Sequence, residues 1–449
     1  MKRVLSMLPV LLVMVGLAAA AQAQFPPQSQ APDNDNSGLP ARAFDNVTIH
    51  LADGSTVESG TIVWRGGVVE AMGSNVTIPF DALVTDGGDS LHVYPGFLDG
   101  YAEWSSPEAI DFDETPRYRG SPTMVRAGIR PDRRAREVLT MDSDNLASAL
   151  QHGITSGNMA ARGYMVPGQT DLFLLKTQLE TGDLFMGGTG MQMQFEDSDG
   201  VFPGTTMGVV SRMHQLWYDA EAHRDWQTYY ASNASQLSPP DHEPQLEAMV
   251  PVMDGEQRVF FKVDSKENIE RVFKLQDELG FEAVIVSGLG AWKVADELNR
   301  RGIPVLASVD FPDEPEWHSD EEEGDSGEEL TDADQEFRDK QWNAYLEAVR
   351  NIRTLMDAGV EVGFATAGTG LGDLKGHMAT LLEHGQMGED ELLQLLTVHT
   401  AEILNASGAL GDLTTGRVAS FSVMSDAFTS EDAEALYTVS DGSLIEHND

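Results

Sequence analysis

Both ends of the chain carry short runs in which apolar and polar residues alternate, separated by Gly and Asp turn signals. These runs lie at residues 47–51, 61–64, 68–72, 420–424 and 435–439. Alternation with a period of two predicts half-buried strands, and the turn signals between the runs predict antiparallel pairing. The most economical arrangement is one small β-sandwich domain built from both chain ends, residues 44–93 and 408–449.

The middle of the chain shows a different pattern, in which apolar runs alternate with segments of helical period. The apolar runs lie at residues 259–261, 283–286, 304–307 and 360–364, and the helical patterns at 266–279, 291–301, 334–358 and 374–383. Continuous apolar runs predict buried parallel strands, because helices cover both faces of such a sheet. The sequence therefore predicts an α/β fold with a (β/α)8 TIM-like barrel over residues 94–407.

One acidic segment, residues 313–339, interrupts this alternation. It follows the apolar run at 304–307, and its last few residues overlap the next helical pattern. Its carboxylates lack the one-residue alternation of an EF-hand calcium loop. We therefore interpret the segment as an acidic loop that extends from the end of a strand, rather than as a dedicated calcium site.

The net charge of the chain limits the kinds of partner that the protein can bind. The 449-residue chain has 29 Lys and Arg against 73 Asp and Glu, a formal net charge of −44. Such a chain repels nucleic-acid phosphates, which rules against a DNA or RNA backbone binder, and the same charge disfavours docking on anionic membranes. Lysine is scarce, with 8 Lys against 21 Arg. We interpret this composition as adaptation to concentrated salt, where screening weakens carboxylate repulsion. The alternative is an acidic surface that binds cations or a basic partner.

The amino terminus has the three parts of a signal peptide. Residues 1–23 comprise a basic start, an apolar stretch and a small-x-small end at Ala-Gln-Ala, which predicts cleavage near Ala23. Residues 24–43 are rich in Pro, Gln, Asn and Ser and predict a flexible linker. The chain contains no Cys, which excludes disulfides and thiolate chemistry. We therefore predict a periplasmic or secreted protein with no stable membrane insertion after cleavage.

Several short motifs, taken in order, resemble those of one enzyme superfamily. They are Pro-Gly-Phe-Leu-Asp at 95–99, Gly-Ile-Thr at 153–155, a helix at 291–304 that leads to a strand beginning at Val305, a closing helix at 395–404, and a return to strand sequence at 408–419. Their order and spacing resemble the amidohydrolase superfamily, in its imidazolonepropionase-like branch. The resemblance covers nearly the whole mature chain and implies the barrel and the composite sandwich domain. It also implies one or two divalent metal ions, which activate a water molecule for attack on a carbon–nitrogen bond.

The metal-ligand positions of the resemblance carry other residues in this chain. The His-x-His pair of the first barrel strand is replaced by Tyr101 and Glu103. Lys262 stands at the fifth-strand histidine, Ser287 at the sixth-strand histidine, and Ala367 at the last-strand aspartate. We therefore predict a degenerate metal site, with no confident catalytic residue and no cofactor.

Two alternatives remain for these positions. Glu103, Asp99 and Asp264 are weak metal candidates, and their hard oxygen ligands would favour one Mg²⁺ or Ca²⁺ ion. A buried ion pair between Lys262 and Glu103 would instead balance the charge with no metal.

The histidines offer no replacement ligand set. The chain has 11 His, and none is spaced as His-x-His. His377 and His384 lie two turns apart on one predicted helix face, and His399 lies in the closing helix. His214 and His223 fall in a segment with the aromatic bands at 217–218 and 229–230, and a packed helix explains them more simply than a metal site does.

The leading hypothesis for function is a non-catalytic, metal-site-degenerate homologue with a binding or partner role. Its partner would be an unknown small molecule or a related active amidohydrolase. The alternative is an active metal-dependent hydrolase acting on carbon–nitrogen bonds, of the non-peptide, cyclic amide or dipeptide-like kind. A third class, an extracytoplasmic solute-binding or structural protein on the same scaffold, also fits, because a fold alone does not decide function.

Overall fold

The computed structural model describes residues 38–106, 119–139, 143–198, 200–235, 237–318, 331–430 and 433–447. The predicted signal peptide and residues 24–37 of the predicted linker lie outside the described residues, as does the middle of the acidic segment. The described end of the linker is already strand from Arg42 onwards, because Ala43 and Phe44 are both buried.

Both chain ends contribute to one mixed sheet of eight strands. Its strand order is β16-β15-β14-β5-β1-β2-β3, with β4 paired to β1. The strands are β1 (Arg42–His50), β2 (Thr56–Arg65), β3 (Val68–Gly73), β4 (Leu83–Asp86), β5 (His92–Pro95), β14 (Phe421–Met424), β15 (Ala435–Ser440) and β16 (Ser443–Glu446). Strands from the amino-terminal and carboxyl-terminal parts of the chain therefore pair in one sheet.

Aromatic side chains from both ends pack together on this sheet. Phe44 stacks on Trp64 at 5.6 Å between ring centroids, and Phe421 meets Trp64 edge-on at 5.2 Å. The Trp64 indole N–H donates to the Gly442 carbonyl at 3.0 Å. Residues more than 350 positions apart thus share one core, which explains why neither terminal segment carries a complete apolar face alone.

The second sheet contains eight strands in the order of the chain. The strands are β6 (Phe97–Ala102), β7 (Ile154–Met159), β8 (Gln169–Leu174), β9 (Leu184–Gln194), β10 (Arg258–Val263), β11 (Ala283–Ser287), β12 (Val305–Ala307) and β13 (Val362–Phe364). All neighbouring pairs are parallel except those of β8, which runs antiparallel to β7 and β9.

The reversed strand β8 departs from the regular (β/α)8 alternation that the sequence predicts. Residues 160–168 join β7 to β8 without a helix, and residues 175–183 lead to β9 through only a short 3-10 turn. A crossover between parallel strands needs about a dozen residues or more. The shorter connection reverses the chain instead, and this part of the sheet is built from hairpins.

The helices surround the second sheet. They are α1 (Ser143–Gln151), α2 (Thr206–Asn233), α3 (Pro244–Glu247), α4 (Val250–Met253), α5 (Lys266–Leu279), α6 (Ala295–Arg301), α7 (Asp332–Val349), α8 (Asn351–Asp357), α9 (Leu374–Glu383), α10 (Glu389–Gln394) and α11 (Thr400–Ile403). Thr331 and Asp334 form a capping box at the start of α7, so the last part of the acidic segment is helix. Among the described residues, no helix is both long and apolar enough to cross a membrane.

The first and last strands of the second sheet meet just beyond β13. The Ala367 N–H donates to the Tyr101 carbonyl at 3.0 Å, and the Thr366 N–H donates to the Asp99 carboxylate at 3.0 Å. Gly100 permits this approach, since a Cβ there would lie 2.5 Å from a Leu306 methyl and 2.7 Å from the Phe364 carbonyl oxygen. These contacts gather residues from β6 and β13 at the carboxyl ends of the strands.

Candidate functional site

Five polar side chains lie together at the carboxyl ends of β6, β9 and β10. We call them the strand-end cluster, and its members are Tyr101, Glu103, Gln192, Glu196 and Lys262. Residues at the carboxyl ends of parallel strands commonly form the sites of α/β proteins, because the loops there leave a crevice. The chemistry of the cluster follows from what each side chain already contacts.

An ion pair forms the centre of the strand-end cluster. The Lys262 ammonium lies 2.7 Å from Oε2 of Glu103, which directly follows β6. Glu103 is 6% exposed, whereas the Lys262 side chain is 23% exposed. A Cβ on Gly368 would lie 3.4 Å from the same Glu103 oxygen and 3.7 Å from the ammonium, so the backbone covers the pair closely. The pair combines a positive and a negative charge and leaves the cluster centre neutral.

Glu196 is a second carboxylate beside this pair, and sequence reasoning missed it. The residue is exposed, but partial burial of its carboxylate raises its pKa; the Lys262 charge lowers it in part, and the charges of Glu103, Asp197 and Asp264 raise it further. Gln194 holds the side chain in place, with its amide 3.3 Å from Glu196 Oε2 and 2.5 Å from the Gly163 carbonyl. Polar residues occupy every second position from 192 to 196, and this alternation could have indicated that they share one face of a strand.

The Tyr101 phenol is buried and neutral. It is 1% exposed, and its oxygen accepts a hydrogen bond from the Gln192 amide at 2.7 Å. Burial raises the pKa of Tyr101 well above its usual range, and the charge of Glu103 adds to the shift. The Gln192 side chain also accepts a hydrogen bond from the Ala161 N–H and donates one to the Ala161 carbonyl. Tyr101 therefore carries its proton at neutral pH and does not offer an anionic oxygen.

Asp99 has a structural role, in which both oxygens of its carboxylate accept hydrogen bonds. It is fully buried and accepts from the Tyr101 N–H, the Trp104 indole, and both the N–H and hydroxyl of Thr366. Burial raises the pKa of Asp99, and these hydrogen bonds lower it in part. All of its acceptor sites point at protein donors, so the predicted metal candidate Asp99 instead joins β6 to the chain after β13.

The remaining predicted positions supply no ligand at the cluster. Ser287 and Ala367 both have positive φ, at 70° and 49°, and both are buried where strands end. Asp264 is exposed, one residue beyond β10, with its carboxylate 3.5 Å from the Leu289 N–H. The structure thus brings Glu103 and Lys262 together, whereas Asp264 lies on the solvent side.

The five histidines considered in the sequence lie in helices or directly beside them. The structure places His214 beside Glu278, His223 beside Glu247, His377 against Phe311, His384 against Trp342, and His399 half-buried in the closing helical segment. No group of three or more His, Asp or Glu side chains that could hold a metal ion occurs among the described residues.

The residues at the strand ends do not fit a divalent metal ion. Glu103 is already paired with an ammonium group, Asp99 has no acceptor site to spare, and Tyr101 is a neutral phenol. A divalent ion at this place would lie against the positive charge of Lys262, which opposes binding. The cluster instead contains a neutral ion pair, a network of amide hydrogen bonds and one carboxyl group with a raised pKa.

Comparison with known proteins gives structural matches alone. No protein-family model matches the chain, and no curated protein matches it in sequence. An amidohydrolase from Thermotoga maritima MSB8 superimposes with a TM-score of 0.73 at 18% identity, over 91% of this chain and 100% of that one. A prolidase complexed with N-methylphosphonate-L-proline gives 0.54 at 15% identity, with the same coverage.

A third solved structure, a Xaa-Pro dipeptidase with bound methionine in its active site, gives a TM-score of 0.51 at 12% identity. It also covers 91% of this chain and 100% of its own. Identities this low establish a shared fold and nothing finer. The protein therefore has the mixed α/β fold, with two sheets, of solved amidohydrolases.

Proposed function

We propose that this protein is a non-catalytic relative of the amidohydrolases, in which an ion pair replaces the metal centre and the strand-end cluster serves binding. The 2.7 Å contact between Lys262 and Glu103 carries the proposal. The resemblance assigns metal ligands to these two positions, and here they neutralise one another. Its place of action would be outside the cytoplasm, as the signal-peptide pattern suggests.

We infer that the second sheet forms the wall of a TIM-like barrel, with the strand-end cluster at its mouth. Glu103 follows the first strand of the sheet and Lys262 lies in the fifth. In a flat sheet four strand spacings would separate them by about 19 Å, which exceeds the reach of the two side chains. A curled sheet whose first and last strands meet explains the contact.

A binding role suits this cluster better than hydrolysis. Activation of water in this fold family rests on a metal-bound hydroxide, and the residues present do not fit the metal. The carboxylate of Glu196 remains as a polar group that could orient a small molecule, since the Gln192 amide is already bonded to Tyr101 and Ala161. A closely related active enzyme could equally dock as a partner, since the fold neighbours are hydrolases.

Metal content tests the proposal directly. The mature chain would be purified in high salt without chelator, dialysed, and compared with Glu103→Gln by elemental analysis. We expect less than about 0.1 transition metal per chain in both samples. The matched control is Glu347→Gln, which removes an exposed carboxylate from α7. About one Zn, Mn or Fe per chain, lost in Glu103→Gln and kept in Glu347→Gln, would overturn the proposal.

The second candidate is a hydrolase acting on carbon–nitrogen bonds, and the raised pKa of Glu196 favours it. A carboxyl group with a raised pKa, next to a lysine and a second carboxylate, is a common feature of general acids. A panel of cyclic amides, dipeptides and imidazolones separates the two functions. Turnover that disappears in Glu196→Gln would establish the hydrolase, and no turnover above buffer supports the non-catalytic proposal.

A further inference from the structure

A pocket next to the strand-end cluster is lined by arginine side chains. Arg130, Arg133 and Arg162 contribute to its wall, together with the apolar side chains of Val125, Val166 and Pro167. Its enclosed volume is small, about 30 Å³, and the pocket is half open to solvent. The carbonyl of Gly163, another lining residue, accepts the hydrogen bond from Gln194 described above, so the pocket adjoins the cluster.

Backbone hydrogen bonds hold the pocket wall in shape. The Arg130 N–H donates to the Val166 carbonyl at 2.8 Å, and the Val166 N–H donates to the Gly128 carbonyl at 2.9 Å. Gly128 has φ +79°, and a Cβ there would lie 2.3 Å from the Tyr164 side chain. Only glycine fits this position, so the two segments pack directly on one another. A ligand would therefore meet a largely preformed pocket.

The Arg133 guanidinium is fixed in orientation by two backbone carbonyls. Its Nε donates to the Pro167 oxygen at 2.6 Å, and one Nη donates to the Arg162 oxygen at 2.8 Å. A guanidinium has five N–H donors, so three remain, and they have no hydrogen-bond acceptor among the described residues. Burial lowers the pKa of Arg133, and the neighbouring charge of Arg130 lowers it further. A negative ligand would relieve both effects.

Among the described residues, the positive charges at the pocket outnumber the one carboxylate beside them, that of Asp132. Nε of Arg130 lies 3.7 Å from Asp132 Oδ1, which is beyond hydrogen-bond length, and both atoms are buried without a hydrogen-bond partner. Arg130 and Arg133 therefore share one carboxylate at a distance. The surrounding segment, residues 119–136, holds six of the 21 arginines in a chain of net charge −44. This local reversal of charge sign favours an anion here.

We propose that this pocket binds the carboxylate of a small organic acid, whose apolar part packs against Val125, Val166 and Pro167. Guanidinium groups match the planar geometry of a carboxylate with paired hydrogen bonds, which an ammonium group does not. The apolar wall distinguishes an organic acid from an inorganic oxyanion. This assignment goes beyond the non-catalytic proposal and stands whether or not the cluster catalyses a reaction.

Calorimetric titration of the mature chain with sodium acetate, butyrate and phosphate tests the assignment at one fixed ionic strength. We expect saturable binding of one butyrate per chain, with weaker binding of acetate because it fills less of the apolar wall. Arg130→Gln should weaken butyrate binding about tenfold or more. The matched control is Arg300→Gln, which removes the same charge from exposed α6 and should leave the affinity within about twofold.

A second variant covers the case in which Arg130→Gln does not fold. Val125 is 37% exposed at the pocket rim, so Val125→Asp adds a carboxylate without disturbing the core. We expect this variant to lose butyrate binding while its melting temperature stays unchanged. Butyrate binding that is unaffected by Val125→Asp, or phosphate binding tighter than butyrate, would overturn the assignment.

Discussion

At Glu103 the chain buries a carboxylate and places an ammonium group against it. Burial of either charge alone is costly, so the two residues stabilise the fold only together. The sequence offered this pairing as one of two alternatives, because the resemblance to the amidohydrolases puts Glu103 and Lys262 at ligand positions of the first and fifth strands. It was not sufficient to predict Glu196, which follows β9 outside any motif and enters the cluster through Gln194.

A double-mutant cycle measures the Lys262–Glu103 pair. Glu103→Gln leaves the ammonium without its partner, and we expect a loss of about 2 kcal/mol in the free energy of unfolding. Lys262→Met should cost a similar amount, and the double variant less than the sum, with a coupling of about 1 kcal/mol or more. Urea unfolding at constant salt gives these values.

The exposed pair of Lys340 and Glu336 on α7 provides the control cycle, with a salt bridge of 2.6 Å. Both side chains are about 70% exposed, so the expected coupling is below about 0.5 kcal/mol. Equal coupling in the two cycles would contradict a special role for the buried pair.

The Asp99 side chain joins strand β6 to the end of β13, beside the backbone hydrogen bond from Ala367 to Tyr101. The four donors on Asp99 come from residues up to 267 positions away. The spacing of residues along the sequence does not reveal such a distant contact. The burial of Asp99 could therefore be predicted from the sequence, but its hydrogen-bond partners could not. The direction of β8 could not be predicted from the apolar pattern either. It follows from the short connection at 160–168.

Replacing Asp99 with asparagine tests the junction of β6 with the end of β13. The amide N–H group of the new side chain would face hydrogen-bond donors, and buried donors would lose their acceptor. We expect Asp99→Asn to lower the free energy of unfolding by about 3 kcal/mol, measured by urea unfolding. Asp53→Asn, at an exposed turn, is the control and should change it by less than about 0.5 kcal/mol. A loss as small as that of the control would show that the junction does not depend on the carboxylate.

Strands β1 and β5 carry a histidine pair that links stability to pH. His50 stacks on Tyr94 at 4.3 Å, and its Nε2 lies 3.0 Å from His92 Nδ1. Burial, and then the charge of His92, lower the pKa of His50 to about 4, whereas an unfolded histidine titrates near 6.5. The unfolded chain thus binds more protons between these values, and stability falls as pH decreases through this range.

The His50→Gln variant should lose part of that pH dependence. We expect the fall in melting temperature between pH 7 and pH 5 to be smaller than in the natural chain, by the equivalent of about 1 kcal/mol, since His50 is only half-buried. His242, 78% exposed, gives the control variant His242→Gln, which should behave as the natural chain does. An unchanged pH dependence in His50→Gln would refute the assignment to this histidine.

Across the whole molecule, the excess of carboxylates governs the response to salt. A net charge of −44 makes the folded state repel itself, and added ions screen that repulsion. The composition alone predicts this behaviour, because it depends on totals and not on contacts. The mixed α/β class follows in a similar way from the alternation of strand and helix patterns. The curled sheet that we propose depends instead on contacts between residues far apart in the chain.

Thermal unfolding in a salt series tests the adaptation to concentrated salt. We expect the melting temperature to rise continuously from about 0.1 M to about 2 M sodium chloride, well beyond the range in which simple screening saturates. Sucrose at matched osmolality is the control for effects that do not depend on charge. A melting temperature that stays flat or falls with salt would contradict the interpretation.

The pairing of β14 with β5 has a consequence for how the protein is made. Phe421 lies opposite Pro95, so two neighbouring strands are roughly 330 residues apart in the chain. While the chain is being synthesised, β5 emerges long before its partner β14. Until then the amino-terminal strands present an unpaired edge that can join another chain. Completion of this sheet therefore has to wait until β14 has been made, and a chain cut short before residue 421 would keep the unpaired edge.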